Sequence, residues 1–568
     1  MKKWIEIRKG ADFQAIGQHF GISPFTARLL RNKEIVGDEE IQNYLYGEIS
    51  DLHPASLMKG IPEAVRLLKA KITAGARIRI IGDYDIDGVC ATYILLRGLH
   101  AAGAQVDTDI PDRIRDGYGL NRELVERAYR AGVDTIVTCD NGIAAVEEIA
   151  CAKELGMTVI ITDHHALHEQ TPPADVTVNP HQPDCPYPFK DLCGAAVAWK
   201  LVGALWESLQ LPTEALYGDL LMLAGFATVG DVMDLVGENR ILVREGLKLL
   251  RTTHHLGMSA LIQVNELNRD NLAAFHIGFV LGPCINASGR LSTAKRALDL
   301  LDTEDPEEAL VKAVELKALN DERKSMTEQS VKEAFRQIEK NGWEHDRVMV
   351  VYLPDCHESL AGIVAGRIRE RCYRPVFVLT RSEDGVKGSG RSIPPYSMFE
   401  EMSRCKELYT RYGGHPMAAG VSMPEAHVET FRARMNELCS LSEDDLTEIV
   451  HIDIALPFQY VSERLVKELR LLEPFGKGNE KPVFAARNVQ IIESRVLGKN
   501  QNVLRMKLQD ESGVSLDGIY FHDEMQEVLQ DLQRTPKFHI LYYPEINEYR
   551  GRRTLQVRVM DYRAAGVN

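Results

Sequence analysis

The stretch IGDYDIDG, residues 81–88, directly follows a mainly apolar run at residues 78–81 and decides the fold class. Its three carboxylates stand at alternate positions: Asp83, Asp85 and Asp87. If the apolar run is a buried parallel strand, its carboxyl end is where an open α/β sheet binds ligands. Adjacent carboxylates repel one another and need a cation, and hard divalent ions such as Mg²⁺ or Mn²⁺ prefer oxygen ligands. The stretch therefore predicts an α/β sheet with a metal site.

This stretch has two other interpretations. An EF-hand calcium loop also begins D-x-D-x-D-G, but it needs a glutamate at the twelfth position, where this chain has Ile94, and a helix in front instead of a strand. The other interpretation is a solvated acidic turn without a metal, which stays open if the stretch is considered without the rest of the chain.

The composition is typical of a globular protein. The 568 residues are 45% hydrophobic and 26% charged, which predicts about three or four domains. Ten cysteines without a C-x-x-C pair argue against a zinc ribbon or a disulfide framework. A net charge of −15 argues against non-specific coating of nucleic acid, although a local basic groove stays compatible with it. Neither a signal region nor an apolar run of roughly 18 residues is found, and we expect a cytoplasmic protein without membrane association.

The pattern along the chain predicts five segments. Strand-like and helical runs alternate from 76 to 165, which is typical of a parallel sheet wrapped by helices. A charged stretch without glycine or proline, from Glu307 to Glu339, predicts a long helix that could connect two lobes. The expected domains are 1–75, a helical lead-in; 76–300, a parallel-sheet α/β domain; 301–345, a connecting helix; 346–448, a smaller α/β domain; and 449–568, a small β-barrel.

Two later strands also end in residues that can bind metal. Asp140 follows the apolar residues of DTIVTCDNG, and Asp163, His164 and His165 follow those of TVIITDHH. A lone pair of histidines is more often a surface or packing feature. Three neighbouring strand ends that offer carboxylate and imidazole to one crevice favour a metal centre instead. From the residues alone, Asp163 is either a ligand or a partner that orients an imidazole.

These motifs together resemble the DHH phosphoesterase superfamily, and within it the chain is similar to the RecJ family of bacterial single-strand-specific exonucleases. Four further stretches carry the resemblance: TVGDVMDL with Asp231, HESLAGIVAGRI, GSGRS and GGHPMAAG. The similarity covers nearly the whole chain. It implies a DHH catalytic domain and a smaller DHHA1 substrate-binding domain, two α/β lobes joined by a long helix, followed by a C-terminal OB-fold barrel.

The resemblance also implies the roles of individual residues in a two-metal phosphodiesterase. The expected ligands of two divalent ions, Mn²⁺ or Mg²⁺, are Asp83, Asp85, Asp87, Asp140, His164 and Asp231. Asp140 is the candidate to bridge the two ions. His165 is expected at the scissile phosphate, where an imidazolium would neutralise developing charge, with Asp163 beside it.

A second set of residues is expected to bind the DNA and its terminal 5′ phosphate: Arg113, Arg290, Ser389, Arg391 and His415. Between residues 361 and 415, ten Lys and Arg outnumber six Asp and Glu, and glycines that could form phosphate-binding backbone or simply tight turns are interleaved with them. Cys284 stands where many relatives carry a basic residue, which puts one contact to the DNA backbone in doubt.

The last segment suggests a barrel that binds single strands. Between 481 and 568, thirteen basic residues accompany eleven acidic ones. Candidate stacking platforms with nearby arginines are Tyr520, Phe521, Tyr542, Tyr543, Tyr549, Arg550, Arg552 and Arg553. An ordinary barrel core would also use these aromatic residues.

The function implied is a single-stranded-DNA-specific 5′–3′ exonuclease that releases mononucleotides in DNA repair and recombination. Candidate partners are a single-strand-binding protein and a RecQ-type helicase. One alternative is a cyclic-dinucleotide or short-oligonucleotide phosphodiesterase, but such relatives typically stop after the second domain. The other is a non-catalytic replisome scaffold, which would have lost ligands that this chain retains.

Overall fold

The amino-terminal segment contains a strand as well as helices. Its elements are β1 (Lys3–Glu6), α1 (Phe13–Phe20), α2 (Pro24–Asn32) and α3 (Asp38–Tyr46). Helix α2 begins where it does because the Ser23 hydroxyl accepts a hydrogen bond from the Thr26 N–H at 3.3 Å, with Pro24 in the first turn. The predicted lead-in is therefore not wholly helical, because β1 pairs with a strand near the other end of the chain, Ile449–Ile452.

The computed structural model describes residues 2–113, 116–117, 119–498, 500–522, 525–549 and 552–565. It divides into two compact units. The first comprises His53–Val232 and Glu245–Glu448, and the second comprises Lys2–Leu52, Met233–Arg244 and the chain from Ile449. Among the helices of these described ranges, none combines the length and the apolar composition needed to cross a bilayer.

A parallel sheet forms the centre of the first unit. Its elements are α4 (Ile61–Thr73), β2 (Arg77–Ile81), α5 (Ile86–Ala101), β3 (Gln105–Asp109), α6 (Arg122–Arg130), β4 (Thr135–Cys139), α7 (Val146–Glu154), β5 (Thr158–Thr162) and β6 (Val176–Val178). The strand order is β3-β2-β4-β5-β6 and every neighbouring pair is parallel. The chain leaves β2 for one side of the sheet and returns on the other, which creates a switch point beside the carboxyl end of β2.

Further helices follow this sheet along the chain and lead to the second lobe. They are α8 (Gly194–Leu209), α9 (Leu221–Gly230), α10 (Gly237–Thr252), α11 (Leu256–Val264), α12 (Ala274–His276), α13 (Gly282–Leu291), α14 (Lys295–Asp302) and α15 (Pro306–Asn341). Single π-helical turns precede α9 (Leu216–Leu220) and join α12 to α13 (Ile277–Leu281). Asp305 caps the start of α15 and Gly342, with φ 70°, ends it. The predicted long helix is thus confirmed.

The second lobe carries a mixed sheet. Its elements are β7 (Met349–Tyr352), α16 (Ala361–Cys372), β8 (Val376–Ser382), β9 (Gly385–Arg391), α17 (Met398–Ser403), β10 (Arg411–His415), β11 (Ala418–Met423) and α18 (Val428–Leu438). The order is β10-β11-β9-β8-β7, with only β7 and β8 parallel. GSGR and GGH lie in strands and not in the turns considered from sequence. A Cβ at Gly390 would lie 2.2 Å from Met398 Sδ, and packing thus requires that glycine.

The second unit is built on a closed barrel. Its remaining elements are β12 (Ile449–Ile452), β13 (Ile454–Ala455), α19 (Glu463–Leu469), β14 (Phe484–Leu497), β15 (Val503–Gln509), β16 (Ser515–Phe521), α20 (Met525–Arg534), β17 (Phe538–Tyr549) and β18 (Arg552–Ala564). The order is β13-β14-β15-β16-β18-β17, and pairing of β14 with β17 closes the barrel. One apolar core includes Leu29 and Leu30 of α2 with Phe484 and Tyr542 of the barrel. The α/β and OB-barrel fold class is confirmed.

Candidate active site

The carboxyl ends of β2, β4 and β5 are level with one another. The register pairs Ile81 with Thr138 and Thr138 with Ile161. Asp140 follows β4 with φ 58°, a left-handed backbone that is uncommon outside glycine, and its N–H donates to the Thr162 carbonyl oxygen at 3.1 Å. A strained backbone of this kind persists where the surroundings hold it, and such sites are frequently functional.

Three other predicted metal ligands come together around His164. Its Nε2 atom lies 3.1 Å from Asp140 Oδ1, 3.6 Å from Asp87 Oδ2 and 3.7 Å from Asp231 Oδ2. Asp231 caps the carboxyl end of α9, and its carboxylate therefore reaches the site from outside the sheet. The four side chains belong to four different elements.

Asp83 and Asp85 lie next to this cluster. Three overlapping groups each hold potential ligand atoms within 4.8 Å of one another. The groups are Asp83 with Asp85 and Asp140; Asp87 with His164 and Asp231; and Asp140 with His164 and His165. Asp140 and His164 each belong to two of the groups. Of these two, Asp140 has a carboxylate with two oxygen atoms, which is what a ligand shared between two ions would need.

The hydrogen bonding of these atoms fits a cation. Among the described residues, no hydrogen bond reaches the buried atoms Asp140 Oδ1 and His164 Nε2. These two atoms are 3.1 Å apart without forming a hydrogen bond. Because buried polar atoms are nearly always paired, and because carboxylate oxygens and imidazole nitrogens suit divalent metals, these residues fit a divalent metal ion.

The acidity of the carboxyl groups agrees with that assignment. Burial, and then the neighbouring charge of Asp85, raise the pKa of Asp83 to about 8. Burial and four nearby carboxylates, first among them Asp87, also raise the pKa of Asp140 well above its usual value. A bound cation reverses such shifts because it favours the ionised carboxylates.

Asp163 holds His165 in one orientation. The Asp163 Oδ1 atom lies 2.8 Å from His165 Nδ1 and accepts the backbone N–H of both His164 and His165. Burial opposes the ionised forms of both partners, yet their hydrogen bond lowers the pKa of Asp163 and raises that of His165 to about 9. Asp163 therefore fixes the orientation of the His165 imidazole through Nδ1.

Helix α8 anchors the site, which was not foreseen from the sequence. The N–H groups of Gly194 and Ala195 donate to the two carboxylate oxygens of Asp87 at 2.6 and 2.8 Å. Gly194 also packs against Asp140, where an added Cβ would lie 2.7 Å from Asp140 Cβ. Nothing local in the sequence marks this glycine.

Asn286 of α13 is a second residue that was missed. Its Oδ1 atom accepts the N–H of Ile86, between Asp85 and Asp87, at 2.8 Å. A signal for it was present, because Asn286 stands four residues before Arg290, which the resemblance identified as a DNA-binding residue.

A cavity of about 440 Å³ lies beside the second-lobe sheet. Two predicted DNA-binding residues, Arg113 and Ser389, line it together with residues that flank the GSGR and GGH motifs: Lys387, Arg411 and Tyr412. Arg113 also stacks over the ring of Tyr84, 4.9 Å from its centre. Since Tyr84 stands between Asp83 and Asp85, the cavity adjoins the carboxylate cluster.

The other predicted DNA-binding residues lie outside the cavity lining. The Arg290 guanidinium donates to the Ser359 carbonyl oxygen at 2.8 Å, and burial, with the charge of nearby Arg113, lowers its pKa to about 10. Arg391 donates to the Gly390 carbonyl oxygen at 2.8 Å and also has Arg113 among its charged neighbours. His415 ends the exposed edge strand β10, and none of the contacts described for it links it to the carboxylate cluster.

Cys284 is buried in α13 and carries no charge toward this region. Its Sγ atom accepts a hydrogen bond from Asn320 Nδ2 at 3.5 Å, and Asn320 Oδ1 accepts one from Arg323 Nε at 3.0 Å. The connecting helix therefore brings an arginine close to the position where many relatives were expected to carry a basic residue.

The barrel corrects the predicted stacking platforms. Tyr520, Tyr542 and Tyr543 are core residues, whereas Phe521 is 46% exposed. The sequence pattern alternates as expected, but it does not tell which face of a curled sheet points outward. Arg550 and the side chain of Tyr549 lie outside the described residues.

One exposed face of the barrel carries a row of arginines. Arg495 pairs in register with Arg505, which pairs with Ile519, which pairs with Arg558. The Arg558 guanidinium lies over the Phe521 ring, 4.8 Å from its centre. This arginine row, Arg495, Arg505 and Arg558, combines positive charge with an exposed aromatic ring.

Known proteins share these domains over the length of the chain. Family models match in three places: the DHH family, N-terminal domain at 77–225, the DHHA1 domain at 345–441 and the RecJ OB domain at 452–561. The single-stranded-DNA-specific exonuclease RecJ of Bacillus subtilis is 36% identical over 96% of this chain and 69% of its own length. The protein of the same name from Salmonella typhimurium is 33% identical over 99% of both.

A solved structure shows the same similarity. The crystal structure of RecJ from Thermus thermophilus in complex with Mn²⁺ superposes with a TM-score of 0.85 at 30% identity, and the match covers 100% of this chain and 80% of that one. Given the identity and coverage of these relatives, the chain belongs to the RecJ family of single-stranded-DNA-specific exonucleases, in the DHH superfamily.

Proposed function

We propose that this protein hydrolyses single-stranded DNA from its 5′ end and releases mononucleotides, with two divalent ions, Mn²⁺ or Mg²⁺, in DNA repair and recombination. The observation that carries the proposal is the convergence of carboxylates and His164 from four elements, with buried ligand atoms that lack hydrogen bonds. Such a group of oxygen and imidazole ligands at a sheet switch point is what metal-assisted phosphodiester hydrolysis requires.

The residues in this proposal divide into ligands and supports. The ligands are Asp83, Asp85, Asp87, Asp140, His164 and Asp231, with Asp140 shared between the ions. When bound, the two ions would lower the pKa of an attacking water and stabilise the leaving oxygen. Helix α8 holds Asp87 through two backbone N–H groups, and Asn286 holds the loop that carries Asp85.

His165 is proposed to contact the scissile phosphate. Asp163 holds the imidazole through Nδ1 and favours its protonated form. The resulting imidazolium can donate a hydrogen bond to a phosphoryl oxygen and neutralise its negative charge. Asp163 is thereby a positioning residue, because it acts through His165 and not on the substrate.

The direction of cleavage is proposed to follow from a pocket for the terminal phosphate. Arg113 and Ser389 line the cavity beside the carboxylate cluster, and Arg290 and Arg391 have Arg113 as a charged neighbour. A strand whose 5′ phosphate is held there can present only its first internucleotide bond to the metal ligands. His415 stays in the proposal as a DNA contact from the exposed edge of the same sheet.

The barrel is proposed to add affinity for longer strands. Its arginine row can neutralise successive phosphates while Phe521 offers a face on which a base can stack, and neither contact depends on sequence. This assignment replaces Tyr520, Tyr542 and Tyr543, which the sequence analysis expected to be stacking platforms and which are buried.

The test is digestion of end-labelled single-stranded DNA in Mn²⁺ and in Mg²⁺. We expect mononucleotides from the 5′ end and no digestion of blunt duplex. A dinucleotide serves as the short control. Products released from the 3′ end, or activity confined to dinucleotides, would refute the proposal.

Three further points stay proposals. The domain boundaries are 1–75, 76–300, 301–345, 346–448 and 449–568. A cytoplasmic location is proposed from the resemblance, as are a single-strand-binding protein and a RecQ-type helicase as partners.

A further inference from the structure

Helix α9 ends in a backbone conformation that its sequence does not favour. Val232 is the second residue after the helix and has φ 58°, in the left-handed region. Its N–H donates to the Val229 carbonyl oxygen at 3.1 Å. Among the described residues with positive φ, Val232 is the only one whose side chain branches at Cβ. Such a residue is a genuine outlier there, because its Cβ and γ-methyl groups crowd the backbone.

Four other helices of the first unit end in the same way but with glycine. In each, the second residue after the helix has positive φ and donates its N–H to the carbonyl oxygen three residues earlier, at 2.9 or 3.0 Å. These residues are Gly75, Gly103, Gly132 and Gly156, after α4, α5, α6 and α7. Glycine adopts the left-handed backbone without steric cost, which is why it is the usual residue at this place. Burial does not explain the valine, because Val232 is 60% exposed.

The residue before Val232 indicates what the strained turn can do. Asp231 is a proposed metal ligand, and its Oδ2 atom lies 3.7 Å from His164 Nε2. Its side chain is 26% exposed, against 10% for His164, 3% for Asp140 and 0% for Asp87. Because Asp231 is the least enclosed of the four, the position of its carboxylate depends most on the backbone that carries it.

The chain is fixed on both sides of Val232. Before it, Gly230 packs against the metal-binding loop, where an added Cβ would lie 2.5 Å from Ile86 Cδ1. After it, within the second unit, Leu235 is buried and its N–H donates to the Lys477 carbonyl oxygen at 2.8 Å. A strained backbone persists where the surrounding structure determines it, and such strain is concentrated at active sites.

We propose that Val232 is a positioning residue for Asp231. Its branched side chain restricts the left-handed backbone to a narrow range, and the Asp231 carboxylate therefore stays beside His164 before a metal ion binds. A glycine could reach many more conformations, and metal binding would then have to order the turn. The inference rests on the proposed function, because it takes Asp231 as a ligand of one of two ions.

The experiment measures Mn²⁺ binding to the whole chain by isothermal titration calorimetry in the absence of DNA. Val232→Gly should weaken the binding of one of the two ions by about 10- to 100-fold, as removal of a support from a metal ligand does. The melting temperature of the metal-free variant should equal or exceed that of the wild type, because the steric cost is removed. A lower melting temperature together with weaker binding would assign Val232 to folding and overturn the inference.

Glu266→Gly is the matched control. Glu266 is the second residue after α11, has φ 54° and donates its N–H to the Gln263 carbonyl oxygen at 3.0 Å. The same substitution at the same kind of helix end should keep or raise the melting temperature and leave Mn²⁺ affinity unchanged. Equal weakening of Mn²⁺ binding in both glycine variants would show a general effect and overturn the inference.

Two further variants separate the branch at Cβ from apolar contact. Val232→Thr keeps the branch and should bind Mn²⁺ as tightly as the wild type. Val232→Ala loses the branch and should weaken binding, although less than glycine does. Wild-type affinity in the alanine variant overturns the inference. Weak binding in the threonine variant also overturns it and makes the exposed valine an apolar contact instead.

Asp231→Ala keeps this test separate from the proposed function. If Asp231→Ala loses one Mn²⁺ ion while Val232→Gly binds like the wild type, the inference alone fails. If Asp231→Ala binds both ions like the wild type, the ligand assignment fails and the inference fails with it. If Mn²⁺ binding follows the expectations and the wild type does not cut single-stranded DNA, the proposed function fails and the positioning role of Val232 stands.

Discussion

Gly194→Ala is the sharpest perturbation that the structure offers. Gly194 contacts Asp140 but does not line the cavity, and its N–H, which alanine retains, donates to Asp87. The added Cβ would lie 2.7 Å from Asp140 Cβ and 2.9 Å from Asp140 Oδ1. Since carbon atoms in contact are normally about 3.5 to 4.0 Å apart, either Asp140 or the start of α8 must move by about 1 Å.

The size of this displacement predicts how much cleavage activity is lost. Misplacing a catalytic group by about 1 Å can cost about 100-fold in rate, which corresponds to about 2.7 kcal/mol. Because Asp140 is the proposed shared ligand, the concentration of Mn²⁺ needed for half-maximal activity should rise by about 10- to 100-fold as well.

The assay is cleavage of labelled single strands over a range of Mn²⁺ concentrations, with thermal unfolding measured in parallel. Gly203→Ala on the same helix is the control, because its Cβ would meet Leu216 at an ordinary 3.5 Å. It should be fully active and slightly stabilised, since alanine favours a helix over glycine. Activity of Gly194→Ala within about threefold of wild type, or an equal loss in Gly203→Ala, would refute the reasoning.

Three other outcomes are expected. Asp140→Ala should abolish cleavage while the protein stays folded and binds DNA, and residual activity within about tenfold of wild type would contradict its role. Arg391→Ala should slow the cleavage of 5′-phosphorylated strands by about 10- to 150-fold more than the cleavage of strands without the phosphate. Equal slowing of both substrates would show that Arg391 binds the DNA backbone and not the terminal phosphate. Alanine at Arg495, Arg505 and Arg558 together should reduce the slope of log binding constant against log salt by about 2, and an unchanged slope would exclude that face.

The metal-binding side chains could be predicted because their positions follow from local pattern. An apolar run followed by Asp85, Asp140 or His164 identifies a strand and its polar end, and parallel strands place those ends at one edge. Asp231 could not be placed by this rule, because it ends a helix instead of a strand. Its assignment depended on resemblance.

The supports of the site could not be predicted in the same way. Gly194 meets Asp140 only because α8 packs beside the ends of β4 and β5, and glycine in a helix has no pattern that reveals such a contact. Gly390 was open to interpretation as a turn residue, yet it lies in β9 against Met398. In both cases a distant side chain, and not the local sequence, determines why glycine is there.

By itself, the sequence determined the α/β and barrel classes, the long connecting helix and the residues at the three strand ends. Those features depend on hydrophobic period and on chain direction, which are local properties. Tertiary structure alone decided that Tyr520, Tyr542 and Tyr543 are buried while Phe521 is exposed, and that β1 pairs with β12. Curvature and bulges in a closed barrel determine which of two alternating faces points inward, and strand pairing across the whole chain depends on packing that no local pattern records.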